Sequence, residues 1–409
     1  MTEIHGHCDP RFERVRTAFA ESFRAGNELG AGVAVTLRGV PVVDLWAGHA
    51  DLARTRPWRA DTLVHVYSVT KGMTALCAHR LIERGALDLD APAARYWPEF
   101  AARGKGEIPV RWLLSHRAGL PALRTPLPPE ALYDATAVAA ALAAAEPCVP
   151  PGQIAYHPMT FGWLVGELVR RVDGRTVGRF FREEIAEPLG VDFHIGLGPA
   201  EEKRAAEATD LEPPPEFAMA FASTPPGEMP LVVLAFANPS GHGDHNSPEH
   251  RRAEIPAING HGTAGALARV YGALACGGEL DGVRVLSRAS IERACTEQAR
   301  DMDPLLGIPL RMGLGFWLSQ PGVPGFAYGP NEGAFGHPGA GGSLGFADPA
   351  AAIGFGYVTS RMGSDMVTDA RPQALIDALY AGRSVLPERT RHAAAASQAK
   401  RAPSIARWR

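Results

Sequence analysis

Apolar residues at Phe12, Val15, Phe19 and Phe23 recur at helical spacing, so an amphipathic helix is expected near the start of the chain. Residues 31–37 and 42–47 read instead as two strands joined by a turn at Arg38-Gly39. After a polar link, residues 62–67 form a further short extended run that leads into Ser68. From 69 to 84, Leu76, Leu81 and Ile82 follow a helical pattern, which Gly85 closes. The middle of the chain, about 92 to about 286, reads as helices and loops, with good helices over 131–145 and 160–172. Between 211 and 258 a Pro-, Gly- and His-rich stretch has little periodicity, the pattern of a functional lid or a poorly ordered loop. Strand-like runs return at 312–318, 342–346 and 353–359, and a helix is expected over 368–380. Strands at both ends with helices between predict a sheet completed by the two terminal segments, with a mostly helical insertion.

Composition narrows the class without naming a function. The 409 residues are 46% hydrophobic and 21% charged, ordinary for a globular protein, and a net charge of −3 gives no reason to expect nucleic acid or an anionic membrane as partner. The five cysteines (Cys8, Cys77, Cys148, Cys276, Cys295) are odd in number and widely spread, which argues against a disulfide framework or a thiolate metal site. Residues 1–12 lack the apolar run of a signal peptide, and no stretch approaches the roughly 20 apolar residues of a membrane span. A cytoplasmic location is therefore expected. The basic, alanine-rich residues 387–409 read as a disordered extension.

The chemistry begins at Ser68-Val69-Thr70-Lys71, where a strand-like run gives way to a helix. A serine there sits at the positive end of the helix dipole, and a lysine three residues on shares its face. Burial would lower that lysine's pKa and fit it for proton transfer. A second S-x-x-K match, Ser397 to Lys400, lies in the tail with no strand before it and is set aside. The 341–345 segment matches G-x-S-x-G around Ser343, but no helix begins after it and the only later histidine is His392, so a nucleophile elbow is not expected. His242, His245 and His250, with Asp244 and Glu249, read as a solvated polar loop, and His5, His7 and Cys8 as a flexible terminus; neither group has the pattern of a metal site. No phosphate-binding glycine motif occurs, and no metal or cofactor is expected.

Around Ser68 the run His65-Val66-Tyr67-Ser68-Val69-Thr70-Lys71-Gly72-Met73 resembles the nucleophile segment of the serine β-lactamase and penicillin-binding-protein superfamily. The likeness is greatest to class C-type β-lactamases and family VIII carboxylesterases, and it extends from about Arg11 to about Tyr380. Leu113-Leu114-Ser115-His116-Arg117-Ala118-Gly119-Leu120 is similar to the family's LLSH-x-x-GL signature. The resemblance implies a β-lactamase-like α/β (α+β) fold, an antiparallel sheet flanked by helices plus a helical subdomain. One catalytic unit over 1–386 is expected, its α/β part at about 1–75 and 287–386 and its helical part at about 76–286.

The same resemblance places the family's catalytic tyrosine at Tyr156, with a phenol lowered by the lysine cation and able to act as base. It assigns the oxyanion hole to the backbone N–H groups of Ser68 and Ala340, within Gly336-His337-Pro338-Gly339-Ala340. His337, Gly339 and His157 become substrate-binding candidates. Two departures stand out: Pro158 replaces the asparagine of Y-x-N, and His337 replaces the lysine of K-T-G. Both favour neutral carboxylic esters over β-lactams or peptides. The reading is an acyl-enzyme hydrolase for a small ester or acyl substrate. An acyltransferase, a β-lactamase or D-Ala-D-Ala peptidase, or a non-catalytic binding relative remain its alternatives.

Overall fold

The computed structural model describes residues 2–210, 220, 222–225, 228–239 and 244–383. His242 and the tail 387–409, with its S-x-x-K match, lie outside them. The central element is a nine-stranded sheet, antiparallel throughout, in the order β1-β3-β2-β14-β13-β12-β11-β10-β9. The early strands are β1 (Ile4–Cys8), β2 (Gly30–Leu37) and β3 (Val40–Gly48). The late ones are β9 (Ala299–Met302), β10 (Pro309–Met312), β11 (Trp317–Leu318), β12 (Phe335–Pro338), β13 (Leu344–Asp348) and β14 (Ile353–Thr359). A small sheet joins β4 (Val64–His65), β6 (Gly260–Gly262) and β5 (Phe193–Ile195), and a hairpin pairs β7 (Glu279–Leu280) with β8 (Val283–Arg284). The two ends of the chain meet where β2 pairs with β14 over seven residues on each strand.

Helices cover both faces. On one, α1 (Glu13–Arg24) and the C-terminal helix Ala370–Arg383 bury Val15, Phe19, Leu375, Ile376 and Leu379 against Val33, Val35 and Phe355. On the other lies the helix Ala264–Ala275. Its approach is close because the strand presents glycines: a Cβ on Gly354 would come 2.2 Å from Gly272 N, and one on Gly356 2.3 Å from Ala264 O. This helix falls inside the stretch expected to form the helical part, yet it packs on the sheet.

Other expectations shift for local reasons. Residues 5–8 are not a loose terminus but part of edge strand β1, paired to β3. The run 312–318 is two strands, β10 and β11, because the chain turns at Gly315 (φ +85°), where a Cβ would lie 2.3 Å from Ala75 Cβ. Positive φ at Gly341 and Gly342 delays β13 until Leu344. The helix expected at 131–145 starts as α4 (Ala135–Ala144), since Asp134 accepts hydrogen bonds from Thr136 N and Ala137 N and caps it there. The 211–258 stretch includes helices Leu231–Ala237 and Pro248–Arg252 among its described residues. In it, His245 and His250 are not solvated: both are buried, packed beside His65 of β4, which also neighbours His261 of β6.

Candidate active site

Ser68 sits in a sharp elbow between β4 and α2 (Thr70–Glu83). Tyr67 adopts φ +46°, a left-handed conformation that costs a non-glycine residue about 1–3 kcal/mol and has to be held by its surroundings. Thr70 supplies much of that hold. Its hydroxyl donates to the Tyr67 carbonyl at 2.5 Å and accepts from Gly260 N at 2.8 Å, while Val66 N donates to Gly260 O at 2.9 Å. The nucleophile candidate thus rises from a turn pinned to β6.

One helical turn on, Lys71 is wholly buried, and its Nζ lies 2.9 Å from Ser68 Oγ and 3.0 Å from the Ala257 carbonyl. The Ala257 segment lies deep because α5 (Thr160–Asp173) carries Gly162 beneath it; a Cβ there would come 2.3 Å from Ala257 N. Among the described residues no carboxylate pairs with Lys71, and burial pushes its ammonium well below the ordinary lysine range.

Tyr156 lies just before α5, fixed through its backbone. Its N–H donates to the Asp303 carboxylate at 2.5 Å, and Leu305 N and Leu306 N donate to the other Asp303 oxygen, each at 2.9 Å. Lys71 Nζ is 5.2 Å from the centre of the Tyr156 ring. Burial pushes the phenol above its ordinary value, opposed by a hydrogen bond with Ser68. The expected lowering of Tyr156 is therefore reversed in direction: burial raises the phenol and lowers Lys71.

His337, on β12, is also fully buried. Its Nδ1 lies 2.6 Å from the Pro338 carbonyl, which requires the proton on Nδ1 and leaves Nε2 an acceptor, 3.4 Å from Tyr156 OH. Burial holds the ring well below the usual histidine range. A buried imidazole turned on Tyr156 is a poor anchor for a substrate carboxylate. His157 serves the backbone with both ring nitrogens. It accepts from Leu120 N at 3.2 Å through Nε2, and its Nδ1–H donates to the Ala155 carbonyl at 2.5 Å.

The LLSH-x-x-GL segment owes its pattern to this loop. His116 Nδ1 accepts from His157 N at 3.0 Å, and Thr160 Oγ1 donates to the Leu120 carbonyl at 2.7 Å. The segment therefore clamps the turn that carries Tyr156. Gly339 meets the nucleophile segment directly, since a Cβ there would come 2.2 Å from the Val66 carbonyl. That approach sets the Ala340 turn beside the elbow. Among the described residues, no hydrogen bond engages the backbone N–H of Ser68 or of Ala340.

Sequence reasoning missed Asp303, 147 residues from Tyr156, and the polarity of the lysine–tyrosine pair. A Tyr-directed carboxylate in a short loop carries no motif. Among the described residues, no group of His, Cys, Asp and Glu is placed to hold a metal ion, and no helix is long and apolar enough to cross a membrane.

Ser68, Lys71, Tyr156 and the Ala340 turn converge between the sheet and the helices as in a penicillin-recognising hydrolase. The chain matches the beta-lactamase family over residues 15–379 and belongs to it. It is a serine hydrolase of that type. Among its relatives is the "Esterase/beta-lactamase LipL" of Mycobacterium tuberculosis, 41% identical over 377 residues, 89% of this chain and 84% of the relative. A solved penicillin-binding-protein homologue from Caulobacter crescentus is 42% identical, with a TM-score of 0.85, covering 93% of this chain and 100% of its own. A solved family VIII carboxylesterase matches with the same TM-score of 0.85 and coverage of 93% and 100%, at 40% identity.

Proposed function

We propose that the protein is a carboxylesterase that works through an acyl-enzyme on Ser68. The observation that carries this reading is the contact between Ser68 Oγ and the Nζ of a wholly buried Lys71 at 2.9 Å. In its neutral form Lys71 accepts the Ser68 proton as the serine oxygen attacks the ester carbonyl. The backbone N–H groups of Ser68 and Ala340 hold the resulting oxyanion, each worth about 3 kcal/mol in such a role. Tyr156, still protonated, gives its proton to the departing alkoxide and takes one from the Lys71 ammonium. Water then attacks the acyl carbonyl, Lys71 takes its proton, and Ser68 leaves with that proton restored.

Two sequence departures bear on the substrate class. Pro158 stands where β-lactamases hold an amide side chain, and the buried neutral His337 offers no cation to a carboxylate. A neutral ester suits both departures. The esterase in LipL's name and the carboxylesterase relative agree with this, and the β-lactamase in LipL's name makes lactam cleavage the reading to test beside it. Transfer of the acyl group to an alcohol would use the same intermediate.

The test is turnover of p-nitrophenyl acetate against a chromogenic cephalosporin, with wild type and Ser68→Ala. Ester turnover that exceeds cephalosporin turnover and vanishes in Ser68→Ala supports the proposal. The reverse preference would make it a lactamase, and activity retained by the variant would exclude Ser68.

A further inference from the structure

The turn that carries Ala340 is gripped from behind by the C-terminal helix. Within the turn, Gly342 N donates to Gly339 O at 3.1 Å and Gly339 N donates to Ser343 O at 2.7 Å. The Gly339 carbonyl is thus engaged inside the turn, and the Ala340 N–H, trans to it on the same planar peptide, points the opposite way. The Gly341 carbonyl accepts from two donors, Arg371 Nη2 at 2.6 Å and Gly363 N at 3.0 Å.

Arg371 is itself held on several sides. Its guanidinium donates to the Asp369 carboxylate at 2.5 and 3.1 Å and to the Arg361 carbonyl at 2.7 Å, and the Glu28 carboxylate lies 3.6 Å away. Glu28 is buried and accepts from Tyr357 OH at 2.5 Å, Thr359 Oγ1 at 2.8 Å and Ser22 Oγ at 2.9 Å. The turn has no slack against this network. A Cβ on Gly342 would lie 2.5 Å from Arg371 Nη2 and 2.6 Å from Asp369 Oδ2. A guanidinium fixed by charge-assisted bonds on several edges holds its partners' geometry as well as its own.

We propose that Arg371 is a positioning residue for ester cleavage: by gripping the Gly341 carbonyl, it fixes the turn that aims the Ala340 N–H at the oxyanion. This rests on the oxyanion role given to Ala340 above. Donors of this kind act only when held within about 0.5 Å of the productive position, so a loosened turn weakens the transition state more than the bound ester.

The experiment compares Arg371→Met and Arg371→Lys with wild type in the full-length chain. It measures p-nitrophenyl acetate kinetics, scaled to the fraction of Ser68 that a fluorophosphonate labels. Arg371→Met should lower kcat about 10- to 100-fold with KM within about twofold, short of the roughly 10²–10³-fold loss of an entire donor. Arg371→Lys keeps the charge but cannot serve Gly341, Arg361 and Asp369 together, so its kcat should fall between the two. A loss confined to KM, or one accounted for by a smaller labelled fraction, would overturn the proposal. If Arg371→Met does not fold, the lysine variant decides: a lowered kcat at unchanged KM supports the role, and wild-type kcat overturns it. Wild-type protein that is not labelled at Ser68 would bring down the acyl-enzyme reading as well, whereas variants with unchanged kcat beside a labelled wild type would bring down only the role of Arg371.

Discussion

Lys71 has exchanged its hydration for one hydroxyl and one carbonyl, and this loss makes it a base. The exchange also has a stability signature. The lysine's folded pKa lies well below its unfolded value of about 10.4, so between the two the unfolded chain binds more protons and stability rises with pH. Lys71→Met removes the ionisable group. Its Tm should therefore exceed that of wild type most at about pH 6, and the gap should shrink towards about pH 10. A pH-independent gap would mean that Lys71 is charged when folded. His157→Gln tests a second assignment. Because both ring nitrogens serve the backbone, the variant should lose about 1–3 kcal/mol of stability with KM nearly unchanged. A large rise in KM with stability intact would return His157 to the substrate site. Motif reading singled out Ser68, Lys71 and Tyr156, which the fold brings together, because their spacing and setting carry information. It misread the direction of the phenol's shift because protonation follows burial, which depends on residues as distant in sequence as His337, 181 positions away.

Elements form where local pattern and tertiary contact agree. Helices α2 and α5 show their periodicity and their closing glycines in the sequence, and Gly85 and Gly174 indeed take positive φ. Strand β1 has no such pattern, since its residues His5, Gly6 and His7 gain order only by pairing with β3. The glycines of β14 likewise have no local meaning until the helix Ala264–Ala275 lies on them. Gly354→Ala should force that helix off the sheet, with a loss of about 1–3 kcal/mol or more in chemical denaturation. A neutral effect would show that the helix can yield.

At the scale of the whole molecule, the sheet closes only when the two ends of the chain meet. Strand β2 has β3 on one side and β14 on the other, and β12 needs β13. A chain ending at residue 343 would lack β13, β14 and the C-terminal helix, and would uncover Val33, Val35 and Phe19. It should show no cooperative unfolding transition by circular dichroism; a sharp transition would mean that the remaining part folds alone. The alternation of strand-rich ends and a helical middle revealed this plan in the sequence. The Glu28, Asp369 and Arg371 network left no trace there, because it ties together positions near opposite ends of the chain.

The central claim is that Ser68 is the nucleophile, and intact-protein mass spectrometry after fluorophosphonate treatment, with peptide mapping, tests it most directly. One adduct per chain, on Ser68, absent from Ser68→Ala and retained by Ser343→Ala, together with turnover of p-nitrophenyl esters, is the predicted result. An adduct on Ser343, or none on folded protein, would contradict it.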